Sequence, residues 1–299
     1  MQEKDSGKKL LILTFDLEEW FHILDIESLE ETRKWSKFEA RIYENAHKTL
    51  RILEENNLKA TFFVLGWIAR KYPELVRLIS EQGHEVGTHS QNHYLLYKIS
   101  PKEFREDLKQ SLDVIQNIIN KKVRAFRAPG FSIKNESLWA FEILAQEGIE
   151  VDSSIFPAPR GHGGLNGFPL DHPFQIRAGE KVIKEFPINM YRLGKVRIPF
   201  SGGGYFRLMP CSALHSLINK SDYVMTYFHM RDFDPGQPVL DGLPLMKRFK
   251  CYYGLKRSFE KFNKIINKYN FIDLTTAAKK IDWNTTPILT LSRLHLFAP

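Results

Sequence analysis

Cysteine is nearly absent. The 299 residues include two, Cys211 and Cys251, and no Cys-x-x-Cys pair. That excludes a disulfide-stapled fold, and a reducing cytoplasm is the expected compartment. Long apolar runs are missing too. No stretch reaches about 18 uninterrupted apolar residues, the length a spanning helix needs. The first apolar run follows the polar MQEKDSGKK and ends at Asp16, which reads as too short and too acidic for a signal peptide. The sequence shows no internal repeat, no low-complexity tract and no nucleic-acid module.

Charge is unevenly spread. Of the net +8, residues 240–299 supply +7, from 11 Lys/Arg against 4 Asp/Glu. A basic helix is predicted over about 246–269 in that stretch. It reads first as a solvated face; the sharper readings are an anionic membrane surface, an acidic polymer or an acidic partner.

What is present is a core. The chain is 43% hydrophobic and 13% aromatic, ample for one large domain. Leu10–Phe15 reads as a buried strand, and further short apolar strands are expected at Ala60–Leu65, Glu85–His89, Ala125–Arg127 and Glu150–Ile155. Helical periodicity fills the gaps: Phe38–Glu55, Ile68–Gln82, Ser100 to about Asn120 with Ser-Pro-x-Glu as its capping box, and Ser137–Gln146. Strand and helix thus alternate as βα units around a parallel sheet. The expected fold is α/β, a distorted or incomplete (β/α) barrel. Regularity fails over 156–205, a stretch rich in glycine and proline, where a strand is expected at Lys184–Asn189. A helix near Cys211–Ile218, a strand Tyr223–His229, the basic helix and a last strand Phe271–Leu274 follow. A single domain over 1–282 and a tail over 283–299 complete the expectation.

Polar residues collect at the strand ends. The first strand breaks into Asp16, Glu18 and Glu19; the third ends at His89, with His93 four residues on. The fourth gives Arg127 and then Pro129-Gly130-Phe131, the fifth Asp152-Ser153-Ser154, and the late strand His229. Carboxylates at the end of a buried strand are costly unless paired, hydrogen-bonded or bound to metal. On parallel neighbouring strands all these groups lie on one rim. His89 and His93, spaced i, i+4, share a face in one helical turn. With one carboxylate they make a two-His, one-acid set with open positions for water and substrate.

This pattern resembles the polysaccharide deacetylase family, whose shared unit is the NodB homology domain of carbohydrate esterase family 4. TFDLEE, His89-Ser90-Gln91-Asn92-His93, Arg127-Ala128-Pro129-Gly130-Phe131, Asp152-Ser153-Ser154-Ile155 and Phe228-His229 stand in the family's order over roughly residues 10–275. The stretches DLEEWFH, SGGGYFRL and FHMRDFDPGQP resemble the subgroup found in exopolysaccharide loci. One departure stands out: Leu17 replaces the second of two adjacent aspartates. Alternation along an extended segment returns Glu18 to the side of Asp16, so Glu18 is the expected ligand, with Glu19 second.

The resemblance implies a hydrolase that removes N-acetyl groups from amino sugars of a polysaccharide or its precursor, using a divalent metal, zinc first. It implies Asp16 as base, Arg127 as its partner, and His229 as acid with Asp152 orienting it. Glu18, His89 and His93 would hold the metal. Amides near Gly130 and Phe131 would face the oxyanion, with Pro129 and Tyr205 at the substrate. Trp20, Phe21 and Phe206 are candidates for a sugar-stacking wall, and His162 and His172 for substrate contacts. Hydrolysis of another C–N bond, such as a cyclic ureide or small amide, is the alternative. A further alternative is a sugar-binding assembly protein that has lost its metal through the Leu17 change.

Overall fold

The computed structural model describes residues 9–295, apart from 25, 27, 28, 30, 166, 167 and 195. Its strands are β1 Leu10–Ile12, β2 Thr14–Leu17, β3 Thr61–Val64, β4 Glu85–Thr88, β5 Ala125–Phe126, β6 Val151–Asp152, β7 Phe174–Ala178, β8 Lys181–Glu185, β9 Tyr191–Leu193, β10 Val196–Ile198, β11 Tyr223–Met225, β12 Phe228–His229 and β13 Ile288–Thr290. The main helices are α1 Ile42–Glu55, α2 Gly66–Lys71, α3 Pro73–Glu81, α4 Pro101–Ile119, α5 Ala140–Gln146, α6 Gly203–Leu208, α7 Cys211–Lys220, α8 Leu245–Tyr252, α9 Leu255–Ile266 and α10 Leu274–Lys280. A short helix, α11 Leu291–His295, follows β13.

The opening strand is real but broken at Leu13. There the N–H donates to Ile272 O and the carbonyl accepts from Thr61 N. β1 pairs in parallel with β11, and β2 passes into a nine-stranded sheet ordered β12-β2-β3-β4-β5-β6-β8-β7-β13. Every pairing in that sheet is parallel except β7 with β8. The sheet does not close: β12 and β13 are its two ends. This is the incomplete barrel expected of alternating βα units.

The two faces bury different sets. Leu13, Phe15, Leu17, Phe62 and Val64 pack among helix residues such as Leu50, Leu53, Ile68 and Phe262. Ile12, Phe63, Phe131, Phe156, Phe186 and Tyr227 fill the inner side. Period-two alternation explains the division, because neighbouring strand residues point to opposite faces.

Several expectations need correcting. The helix expected over 68–82 divides in two at Pro73, the residue expected to start its main body, because a proline ring that starts α3 cannot continue α2. The basic helix is likewise two, α8 and α9, separated at Gly254, whose φ of 76° ends the first helical path. The last strand shrinks to a single bridge between Ile12 and Ile272, since Asp273 caps α10 immediately afterwards. In the irregular stretch, Lys184–Asn189 yields β8 at 181–185 and the hairpin partner β7. Among the described residues after Trp283, whose order the sequence leaves open, β13 pairs with β7 at the sheet's edge.

Candidate active site

Register brings the first acids to the center. On β2, Asp16 lies beside His229 of β12 and Phe63 of β3. Leu17 turns away into the helix-side core, fully buried, and Glu18 returns to the side of Asp16. Asp16 and Glu18 are only 2% and 5% exposed, so both acids need partners.

Arg127 is one partner. Its guanidinium is wholly buried and Nη1 donates to Asp16 Oδ1 at 2.8 Å. Nε and Nη2 donate to the carbonyl and hydroxyl of Ser153, and Cζ lies over the Phe63 ring, 4.3 Å from its centroid. Asp16 Oδ2 stays free of that clamp and faces His229 Nε2 at 3.6 Å.

Glu18, His89 and His93 form a separate knot, with one ligand atom from each lying within 4.8 Å of the others. Glu18 Oε2 is 2.7 Å from His93 Nε2 and 3.9 Å from His89 Nε2. His89 Nδ1 lies 2.7 Å from the Arg127 carbonyl, which can only accept; Nδ1 is therefore the donor, and Nε2 presents a bare lone pair toward Glu18. Glu18 Oε2 is buried, with these two imidazole Nε2 atoms as its neighbors. Carboxylate oxygen and imidazole lone pair facing each other repel, unless a cation sits among them. The donor set therefore fits a divalent metal. Burial alone would raise the Glu18 carboxyl, but the neighboring His93, His229 and His89 hold it well below the usual range. Burial lowers His89 to about 4, which keeps it neutral as a ligand must be.

The imidazoles converge by a loop, not by the helical turn expected from the i, i+4 spacing. Ser90 and His93 adopt positive φ of 67° and 59°. Asp107 of α4 secures this strained loop by accepting from the backbone N–H groups of Gln91 and Asn92. The first amides of α2, Gly66 and Trp67, donate to the carbonyls of Ser90 and Gln91.

His229 has a partner the sequence did not reveal. Its Nδ1 is 3.1 Å from Asp232 Oδ2, which also accepts the His229 backbone N–H at 3.0 Å. Arg207 Nε donates to the other Asp232 oxygen at 3.1 Å. Burial alone would lower His229, but the Asp232 hydrogen bond and the charges of Glu18, Asp232 and Asp16 raise it to about 9. Asp152, expected in this place, is elsewhere. It accepts from the backbone and hydroxyl of Ser154, and burial raises its carboxyl. The usable signal was the short i, i+3 spacing from His229 to Asp232, one turn of a 3₁₀ helix.

Other expected positions separate. Glu19 points away from Glu18, His89 and His93: its oxygens accept from the Arg41 and Ile42 amides at the start of α1. Phe131 N–H donates to Ala128 O at 3.0 Å, closing the Pro129–Phe131 turn, so it is not available to an oxyanion. Gly130, at φ 61°, lies under Leu24, Leu95 and His162. The Phe131 ring packs against Tyr227 and Phe156. Tyr205 is on α6 and 44% exposed. Trp20 and Phe21 are core, and so is Phe206 against Phe228. His172 pairs with Asp171.

The chain was compared with known proteins by sequence and by fold. Residues 3–149 match the sequence profile described as polysaccharide deacetylase, and residues 153–279 match a domain of unknown function, DUF3473. A peptidoglycan-N-acetylglucosamine deacetylase of Bacillus cereus is 33% identical over 96 residues, 32% of this chain and 35% of that one. The chain thus spans about a third of the length of the curated relatives it matches first. Among solved structures, a candidate polysaccharide deacetylase from Mycobacterium smegmatis superposes with a TM-score of 0.65 at 17% identity, over 96% of this chain and 94% of that one. An allantoinase superposes at 0.59 and 12% identity, over 92% and 90%. At such identities these two show a shared fold. With its profile match over 3–149 and its motifs in the family's order along the strand ends, the first half of the chain is similar to the polysaccharide deacetylase family.

Proposed function

We propose that this chain removes acetyl groups from N-acetyl amino sugars of a polysaccharide or its precursor, with a divalent metal, zinc first, held by Glu18, His89 and His93. The observation that carries the reading is the buried two-His, one-carboxylate set lying against an Asp16–His229 pair. A metal bound there would supply Lewis-acid polarisation of the acetamide carbonyl and lower the pKa of water.

The chain's own residues would do the rest. Arg127 occupies Asp16 Oδ1 and leaves Oδ2 as the basic atom. Asp16 takes a proton from water as it attacks the carbonyl. His229, raised to about 9, enters the reaction protonated and gives its Nε2 proton to the departing nitrogen as the C–N bond breaks. Asp232 holds the opposite ring nitrogen and so fixes which proton is given. Acetate and a free amine leave. The resemblance of DLEEWFH, SGGGYFRL and FHMRDFDPGQP to exopolysaccharide-locus relatives points to a secreted polymer as substrate.

The test couples metal analysis with acetate release from N-acetylglucosamine oligomers. We expect about one zinc per chain, lost in His89→Ala together with activity. Asp16→Asn should keep its zinc and lose activity by about 10²–10⁴. Full turnover in Asp16→Asn, or a purified chain that takes up no divalent metal, would overturn the reading.

A further inference from the structure

One surface feature is not explained by the chemistry of the site. On α8, Leu245 is 86% exposed, Met246 65% and Phe249 45%, and Tyr253 just after it is 48% exposed. Large apolar groups this bare, crowded into one short stretch, mark an interaction surface. Their spacing is informative. At 3.6 residues per turn, Leu245, Phe249 and Met246 fall within an arc of about 100°. Exposed Arg248 and Lys250 flank that arc on either side, while Cys251 is buried behind it. The Phe249 and Tyr253 rings lie in tilted contact with centroids 4.7 Å apart, which widens the apolar band into an aromatic edge. Exposed Lys256 and Arg257 follow on α9. An apolar stripe with aromatics, bordered by cations on both sides, matches an amphipathic helix lying in a membrane interface.

Two further observations favor a lipid surface as occupant. The stripe lies within the part of the chain that carries nearly all the excess charge, +7 of +8. Anionic headgroups complement that charge. Among the described residues no helix is long and apolar enough to cross a membrane, so contact through this face would be peripheral.

The face is also wired to the catalytic histidine. Arg207 donates to the carbonyls of Lys250, Cys251 and Tyr253 at the end of α8, and its Nε holds Asp232, the partner of His229. Tyr205 and Leu208, 44% and 51% exposed, stand on the same short helix as Arg207. We propose that residues 245–253 dock the enzyme on an anionic lipid bilayer, with Arg207 tying the docked face to the His229 side of the site. This docking goes beyond the deacetylase reading and does not depend on it.

The test is co-sedimentation of the full chain with vesicles of phosphatidylcholine alone or mixed equally with phosphatidylglycerol. We expect binding to the mixed vesicles at least about tenfold tighter than to the neutral ones, weakening as salt rises. Leu245→Ser with Phe249→Ser should weaken it at least about tenfold. Arg248→Glu with Lys250→Glu should do likewise, at about fivefold per residue. Lys102→Glu with Lys109→Glu, an equal charge change on exposed α4 positions, should leave binding within about twofold of wild type. Acetate release from soluble oligomers and the thermal midpoint should be unchanged in the α8 variants, which shows that they fold. Equal binding to both vesicles, unaltered binding in the α8 variants, or self-association that those variants abolish would overturn the proposal.

Discussion

His229 illustrates how a single side chain is tuned by its neighbors. Burial opposes its charge, yet Asp232 on one nitrogen and the acids Asp16 and Glu18 near the other favor it, and it rises to about 9. In the acid role proposed for it His229 works while protonated, so activity should fall as pH rises through that value. Asp232→Asn removes a charge and a hydrogen bond that favor the imidazolium. We expect the alkaline limb of kcat/KM to move to lower pH by about one unit or more, measured on soluble oligomers. A limb that stays in place would show that Asp232 does not set the histidine. Arg207 makes this arrangement dependable: with three carbonyls and one carboxylate oxygen satisfied, it can hold Asp232 in one position.

At the scale of elements, the junctions carry the polar groups. Glu19 caps α1 from a distant loop, taking the place of a local N-cap side chain that Arg41 does not supply. His84 sits between α3 and β4, 6% exposed, and its Nδ1 accepts the Ala60 N–H at 3.3 Å. Only a neutral ring can accept there. Burial, with the Lys59 charge, lowers His84 from 6.5 to about 4. The unfolded chain therefore binds a proton below about 6.5 that the folded chain refuses until about 4. This contribution to stability is complete above 6.5 and is lost as pH falls toward 4. Urea titrations of wild type and His84→Asn across that window should differ in slope, with the wild type losing on the order of 2 kcal/mol more. Parallel slopes would remove His84 from the acid sensitivity.

Across the whole molecule, the two segments that match separate family profiles share one sheet and one core. β1 and β2 pair with β11 and β12, drawn from opposite ends of the chain. Phe15 of the first segment stacks on Phe62 at 5.0 Å and meets Phe262 of the second at 5.8 Å and Phe228 at 6.1 Å. The site is divided in the same way: Asp16, Glu18, His89, His93 and Arg127 come from one segment, His229 and Asp232 from the other. We therefore expect a single unfolding transition, coincident by circular dichroism and tryptophan fluorescence. Phe262→Ala, at a fully buried position, should lower stability by about 3–5 kcal/mol without splitting that transition. Two separated transitions would contradict the shared core.

The sequence alone determined the alternation of strand and helix, and it pointed to the strand ends and to most of the residues proposed for the site. Those features are local: apolar runs stopping at carboxylates, a Ser-Pro-x-Glu helix start, a His pair and an Arg beside proline all follow from short-range chemistry. Even the displaced acid was legible, because the alternation of β2 sends Leu17 to the core and Glu18 back beside Asp16. What only the tertiary structure decided was which group meets which across the chain. Asp152 and Asp232 look alike as strand-end acids, but a shared burial with Glu185 claims the first and a 3₁₀ turn delivers the second to His229. Glu19 could not be told from a ligand until α1 arrived with unpaired amides. The same limit held for the basic region. Its charge was countable, whereas the exposed stripe on α8 emerged only once folding had buried Cys251 and left Leu245, Met246 and Phe249 bare.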